Sequence, residues 1–243
     1  MEKVTEERLH GGDTHIGKFH KYLSEFVYGG IDGCITTFAV VAGAEGAGLS
    51  NSIVIIMGFA NLIADGFAMS IGSYLSAKSE SEVYDKHRKT EYWEVENIPD
   101  MEREEIRQIY TGYGFEGELL DKVVGVITAD KDRWVDVMMK EELELIPGNK
   151  SPFTIGAATF ISFIVVGLIP MLSYLIDLFH PLMINQFVIS AALTSIAFII
   201  IGLVKTEITK TSKIKGVWET LMLGLIAAIL AYYVGDFLAH ITN

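Results

Sequence analysis

Eleven side chains stand out for the chemistry their types and spacing would support. Glu91 and Glu94 lie at i, i+3, as do Glu102 and Glu105; Met138 and Glu142 lie at i, i+4 with Met139 beside them. At these spacings residues share a helix face. Three short helices presenting such faces to one another would converge on a divalent cation. Carboxylate oxygens suit hard or borderline ions and a thioether adds a softer donor, so a mixed set fits Fe²⁺ or Mn²⁺ better than Mg²⁺ or Ca²⁺. A solvated acidic face, with the adjacent methionines packed in a core, accounts for the same spacing. A second set sits in apolar sequence. Asp32 lies inside a Gly-Gly-Ile-Asp-Gly run, and Asn61, Asp65 and Met69 form one stripe at i, i+4, i+8. An ionisable group in hydrocarbon costs about 2.5–3.5 kcal/mol on insertion scales and usually marks an ion path. The plainer alternative is a hydrogen bond between helices. Gly29, Gly30 and Gly33 would permit either close helix approach or a bend that frees carbonyls for an ion.

The elements that must position these residues follow from the distribution of apolar sequence. The chain has 243 residues, one Cys and a net charge of −12, with a mean hydropathy of +0.36. The stretch 78–150 holds 19 of the 31 acids and 11 of the 19 bases. Around it lie five apolar segments, Phe26–Gly48, Ile53–Ala77, Phe153–Ile176, Leu182–Val204 and Val217–Leu238, each able to span a core that takes about 20 helical residues. Soluble buried helices are the poorer reading, because the last three segments have no polar face. The expected fold is an all-α membrane protein. It has a tail over 1–25, two spanning helices in 26–77, a helical domain of three to four helices over 78–150, and three spanning helices in 151–243.

Five spans place the tail bases (Lys3, Arg8, Lys18, Lys21), the eleven of the insertion, and Lys205, Lys210, Lys213 and Lys215 on one side. The positive-inside rule makes that side cytoplasmic and puts the C-terminus outside. The first span, preceded by polar residues and carrying Asp32, is unlike a cleaved signal, and the tail is unlike an organelle presequence. Within the insertion, segment two continues into water through Lys78–Lys89. Asn97-Ile98-Pro99-Asp100 is a turn with Asp100 as the expected N-cap of a helix over Met101–Thr111. A third helix runs over Glu116–Thr128, and a fourth starts at 129–131 and ends near Pro147.

Several chemistries are excluded or disfavoured. The acidic balance argues against nucleic acid. A single Cys, Cys34, rules out an intrachain disulfide and a multi-thiolate zinc site. The only Glu-x-x-His pair is Glu7 with His10, whereas a bundle-type di-iron site needs two on core helices. No Walker loop, Ser/His/Asp set or GxGxxG occurs, and no prosthetic group is expected. Glu45 reads as a loop acid, and Glu219 and Asp236 as interfacial.

The chain resembles the vacuolar iron transporter family from about His20 to its end. The resemblance is carried by Tyr28-Gly-Gly-Ile-Asp-Gly33, by the run from Gly58 through Asn61, Asp65 and Met69 to Glu80, and by Met138-Met-Lys-Glu-Glu142. It implies a non-enzymatic homodimer with five membrane helices. A cytoplasmic metal-binding domain is inserted between the second and third, and the protein exports Fe²⁺, and often Mn²⁺, in exchange for protons. It places the domain's ligands on Glu91, Glu94, Glu102, Glu105, Met138, Met139 and Glu142, and the pore residues on Asp32 and Met69. One departure stands out: plant-type members carry Glu where this chain has Asn61, which cannot exchange a proton. Asp65, one turn on, stands where they have a small residue and is expected to supply the missing carboxylate. Zn²⁺ and Co²⁺ are further candidate substrates. A prokaryotic cell membrane is the expected location, with the vacuolar membrane as alternative. A membrane-anchored metal buffer or sensor without transport is the rival function. A ferroxidase is weaker, because the insertion has one His, His87.

Overall fold

The structure, a computed structural model, describes residues 21–242. Most of the expected tail over 1–25, with Glu7, His10, His15 and His20, lies outside the described residues. The described chain is helical throughout: α1 Leu23–Gly46, α2 Asn51–Asn97, α3 Pro99–Gly112, α4 Gly117–Thr128, α5 Lys131–Val137 followed by a π turn Met138–Glu142, α6 Pro152–Gly167, α7 Leu172–Phe179, α8 Gln186–Thr209 and α9 Lys213–Thr242. A 3₁₀ turn, Ile169–Met171, joins α6 to α7. Five helical stretches are long and apolar enough to cross a bilayer: α1, α2, α6 with α7, the Gln186–Glu207 part of α8, and α9. The protein is an all-α membrane protein. Its contacts divide it into two compact units, Leu75–Ser151 and the remainder, and the chain passes between them within α2 and after the π turn.

In the membrane unit α1 is the hub, packed against α6, α8 and α9. The packing depends on missing side chains. A Cβ at Gly33 would sit 2.5 Å from the Phe163 carbonyl oxygen of α6, so only glycine permits this approach. The glycines therefore bring helices together, and α1 runs unbroken past Asp32. The Asp32 carbonyl accepts from the Thr36 hydroxyl at 2.9 Å, so it is not freed by a bend. Cys34 is fully buried in α1 within an apolar cluster that includes Val27, Val166 and Phe198. In α2 the ridge Val54, Gly58, Leu62, Gly66 packs inward, with Gly58 against Met171 and Gly66 against Phe163. Ile56, Ile63 and Phe67 face outward.

Local rules moved several boundaries. The third span is broken at Pro170, which removes one amide donor. The fourth begins at Gln186 rather than Leu182, because the Asn185 carboxamide oxygen caps it by accepting from the Phe187 and Val188 amides. Glu45 lies inside the last turn of α1, where it accepts from Asn185 Nδ2 at 3.4 Å, and so is not a loop acid. Glu219 of α9 pairs with Lys205 of α8 at 2.8 Å.

The insertion unit has its own core, built on Val95, Ile106, Leu120, Val124, Ile127, Trp134 and Val135, with Met138 and Met139. Burying each such side chain contributes about 1.5–3 kcal/mol. Pro99 occupies the first turn of α3, where its missing N–H costs nothing, so Asp100 lies within that turn and is not the N-cap. Asp130 does cap α5, accepting from the Arg133 amide at 2.8 Å. The fourth helix stops at Glu142, five residues before Pro147, having widened to π geometry; Glu144 follows with a positive φ of 54°.

Candidate metal centre

Glu91 and Glu94 come from the C-terminal end of α2, and Glu102 from α3. One oxygen from each of the three lies within 4.8 Å of the other two. Glu91 is 4% exposed and Glu102 3%. The Oε2 atom of each is buried without a hydrogen-bond partner. Burial pushes the Glu91 carboxyl up to about 7, helped by the charges of Glu142, Glu94 and Glu105. Burial, then Glu105, Glu91, Glu94 and Glu142, pushes Glu102 up to about 8. Glu142 is raised as well, by burial and then by Glu105 and Glu94. Three of the five carboxylates, Glu91, Glu102 and Glu142, are thus raised by neighbouring acids, and the charged groups shifting Glu91 and Glu102 are all acids. Buried charge of one sign is costly unless a counter-charge joins it. A multivalent cation bound there would supply that charge and give the orphaned oxygens a partner.

Met138 and Met139 lie in the π turn and are 0% and 1% exposed, within the apolar core. Their packing and a ligand role are compatible, because a thioether is apolar until a metal approaches. π turns are rare and often occur at functional sites.

The second set lies wholly in the membrane unit. Asp32 of α1 and Asp65 of α2 are within electrostatic reach of each other. Asp32 is half-buried and Asp65 exposed on the outward side of α2. Asn61, one turn before Asp65, is half-buried, and its Nδ2 is buried without an acceptor. Met69, one turn after, packs partly against the core. The set thus consists of Asp32 on α1 facing a stripe on α2 made of an unpaired amide donor, an acid and a thioether.

Sequence spacing did not reveal the side chains that tie together the helices carrying the carboxylates. Arg88 meets Asp136 at 3.3 Å, Tyr92 donates to Asp132 at 2.6 Å, and Arg107 meets Asp121 at 2.7 Å. Each joins residues far apart in sequence, where periodicity carries no signal.

Comparison with known proteins points to one family. The model of the VIT family matches residues 23–236. A vacuolar iron transporter of Toxoplasma gondii is 38% identical over 166 residues, covering 67% of this chain and 55% of that protein. Vacuolar iron transporter 1 of Eucalyptus grandis is 34% identical over 211 residues, covering 86% of this chain and 84% of its own length. Vacuolar iron transporter 1 of Arabidopsis thaliana is 31% identical over 219 residues, with coverages of 90% and 86%.

Proposed function

This chain belongs to the VIT family, and on that premise we propose that it exports Fe²⁺ from the cytosol in exchange for protons. Relatives named as iron transporters support metal transport, and a transporter of ions is not an enzyme. The observation that carries the reading is the Asp32–Asp65 pair, two acids within electrostatic reach of each other on helices that are long and apolar enough to cross a bilayer. An anchor needs no such pair.

In this reading cytosolic metal first collects on Glu91, Glu94, Glu102, Glu105 and Glu142, with Met138 and Met139 as softer donors. The net negative charge raises the local cation concentration. The ion then passes Asp32 and Met69. A carboxylate in a dry site holds a proton or a metal ion but not both, and this competition couples the two fluxes. Asp65 takes the proton-exchanging role that Asn61 cannot. The donor set extends the substrate range to Mn²⁺, Co²⁺ and Zn²⁺. We place residues 78–150 on the cytoplasmic side from the Lys and Arg distribution. We take a homodimer as the assembly that shields the exposed Asp65 from lipid. The relatives' names favour the vacuolar membrane over a prokaryotic cell membrane as the location.

The test is Fe²⁺ flux into proteoliposomes under an imposed pH gradient, comparing native protein with Asp32→Ala. Flux that depends on the gradient and disappears in the variant supports the exchanger. Tight Fe²⁺ binding by native protein without flux replaces it with a membrane-anchored buffer or sensor.

A further inference from the structure

Side-chain ties hold the pieces of the insertion together. Arg88–Asp136, Tyr92–Asp132 and Lys131–Glu96 join α2 to α5, and Arg107–Asp121 joins α3 to α4. The π turn, which carries Met138, Met139 and Glu142, follows α5 and is tied elsewhere. The Tyr113 hydroxyl, one residue beyond α3, donates to the Glu141 carboxylate. Among the described residues this is the one side-chain hydrogen bond between the end of α3 and the π turn. The phenol is itself held: Tyr113 lies edge-on to Tyr110 at 5.8 Å, and Tyr110 edge-on to Phe115 at the same distance. Glu141 has a side chain only 18% exposed and also holds Lys140 at 2.7 Å.

The turn needs holding because its geometry is uncommon. Its closing bond runs from the Leu143 amide to the Met138 carbonyl, five residues back, and π geometry persists only where the surroundings favour it. A return to α geometry would change the bearing of every side chain in the turn. The helix that ends at Gly112, just before Tyr113, also carries Glu102 and Glu105. Met138 and Met139 pack in the core with Ile106 of α3, and the Tyr113–Glu141 bond, at the surface, adds a directional tie between the thioether-bearing turn and the helix that supplies two of the carboxylates.

We propose that Tyr113 is a positioning residue whose bond to Glu141 holds Met138 and Met139 toward the carboxylates and so sets the preference for borderline over hard ions. This rests on the metal-collecting reading of the carboxylate cluster. Thioether sulfur contributes more to Co²⁺ than to Mn²⁺, so losing the alignment changes the ratio of their affinities. A merely structural loss would lower both affinities in proportion.

The experiment is titration of the full-length protein in detergent with Co²⁺ and with Mn²⁺. Tyr113→Phe is expected to lower Co²⁺ affinity about tenfold and Mn²⁺ affinity about threefold, as for loss of one charged hydrogen bond felt mainly through sulfur. Glu141→Gln, whose amide oxygen still accepts from Tyr113, is expected to keep the native ratio. Glu141→Ala removes the bond from the other side and serves if Tyr113→Phe does not fold. An unchanged Co²⁺/Mn²⁺ ratio in the folded bond-breaking variant overturns the proposal, as does a Glu141→Gln protein that shifts as far. Glu102→Gln separates the two levels: if it binds both ions as the native protein does, the cluster is not the site and the metal-collecting reading fails first.

Discussion

The carboxylate cluster of the insertion and the Asp32–Asp65 pair of the membrane unit are both acidic, yet they are built oppositely. The insertion gathers five acids from α2, α3 and the π turn, buries two of them almost completely, and leaves one oxygen of each of those two without a donor. The membrane unit offers two acids on different helices, one half-buried and one exposed, the exposed one sharing its α2 stripe with a single amide and a thioether. A site rich in converging ligands holds an ion, whereas a pathway must bind well enough to admit it and weakly enough to release it. On the proposed function this difference separates capture from passage, and each half is expected to break without the other.

The largest effect is expected from Asp32→Ala, which removes flux through proteoliposomes while leaving metal binding by the insertion at its native level. Loss of both activities together would erase the distinction. Next comes Glu91→Gln combined with Glu102→Gln. Equilibrium metal titration should show affinity lowered by at least roughly ten- to hundredfold, the scale seen when even a supporting group at a metal site is removed. Flux at saturating metal should survive.

The third prediction concerns pH. Glu91 and Glu102 titrate near 7 and 8 in the folded protein, against about 4.5 when unfolded. Between these values the folded state holds more protons than the unfolded one, so metal-free stability falls as pH rises from about 4.5 through 8. Metal affinity rises over the upper part of the same window, because the ion displaces those protons. Thermal unfolding at pH 5 and pH 8, with and without Mn²⁺, reads both trends. Greater metal-free stability at pH 8 than at pH 5 would show that the acids are compensated by something other than a cation. The smallest effect is expected from Lys122→Ala. It breaks an exposed pair with Glu118 at 2.7 Å and should change stability by no more than about 0.5 kcal/mol in denaturant titration.

Much of this organisation is legible in the sequence because hydrophobicity is a long-range signal carried locally. Spans of about 20 apolar residues declare themselves, and Glu91 with Glu94 share a face because one helix carries both. The approach of Glu102 from another helix is not a spacing property, since it depends on how α3 folds back after Pro99. The end of the fourth helix was misplaced because Leu143 and Leu145 continue an apolar pattern after the backbone has left the helix at Glu142. Both leucines pack against the insertion's core from outside a helix, so their period reports burial and not conformation. The capping role expected of Asp100 was lost to Pro99 for a similar reason: two local signals competed, and the fixed φ of proline took the first helical position.

Cys34 carries a practical consequence. The chain has a single thiol, and it is fully enclosed between helices. A maleimide or methanethiosulfonate reagent should leave the folded native protein unmodified, so no cysteine-free background has to be made. A cysteine introduced at exposed Asp65 or on the insertion would be the sole reactive position. Spin or fluorescent labels placed there one at a time would map which surfaces meet water, lipid or a second subunit.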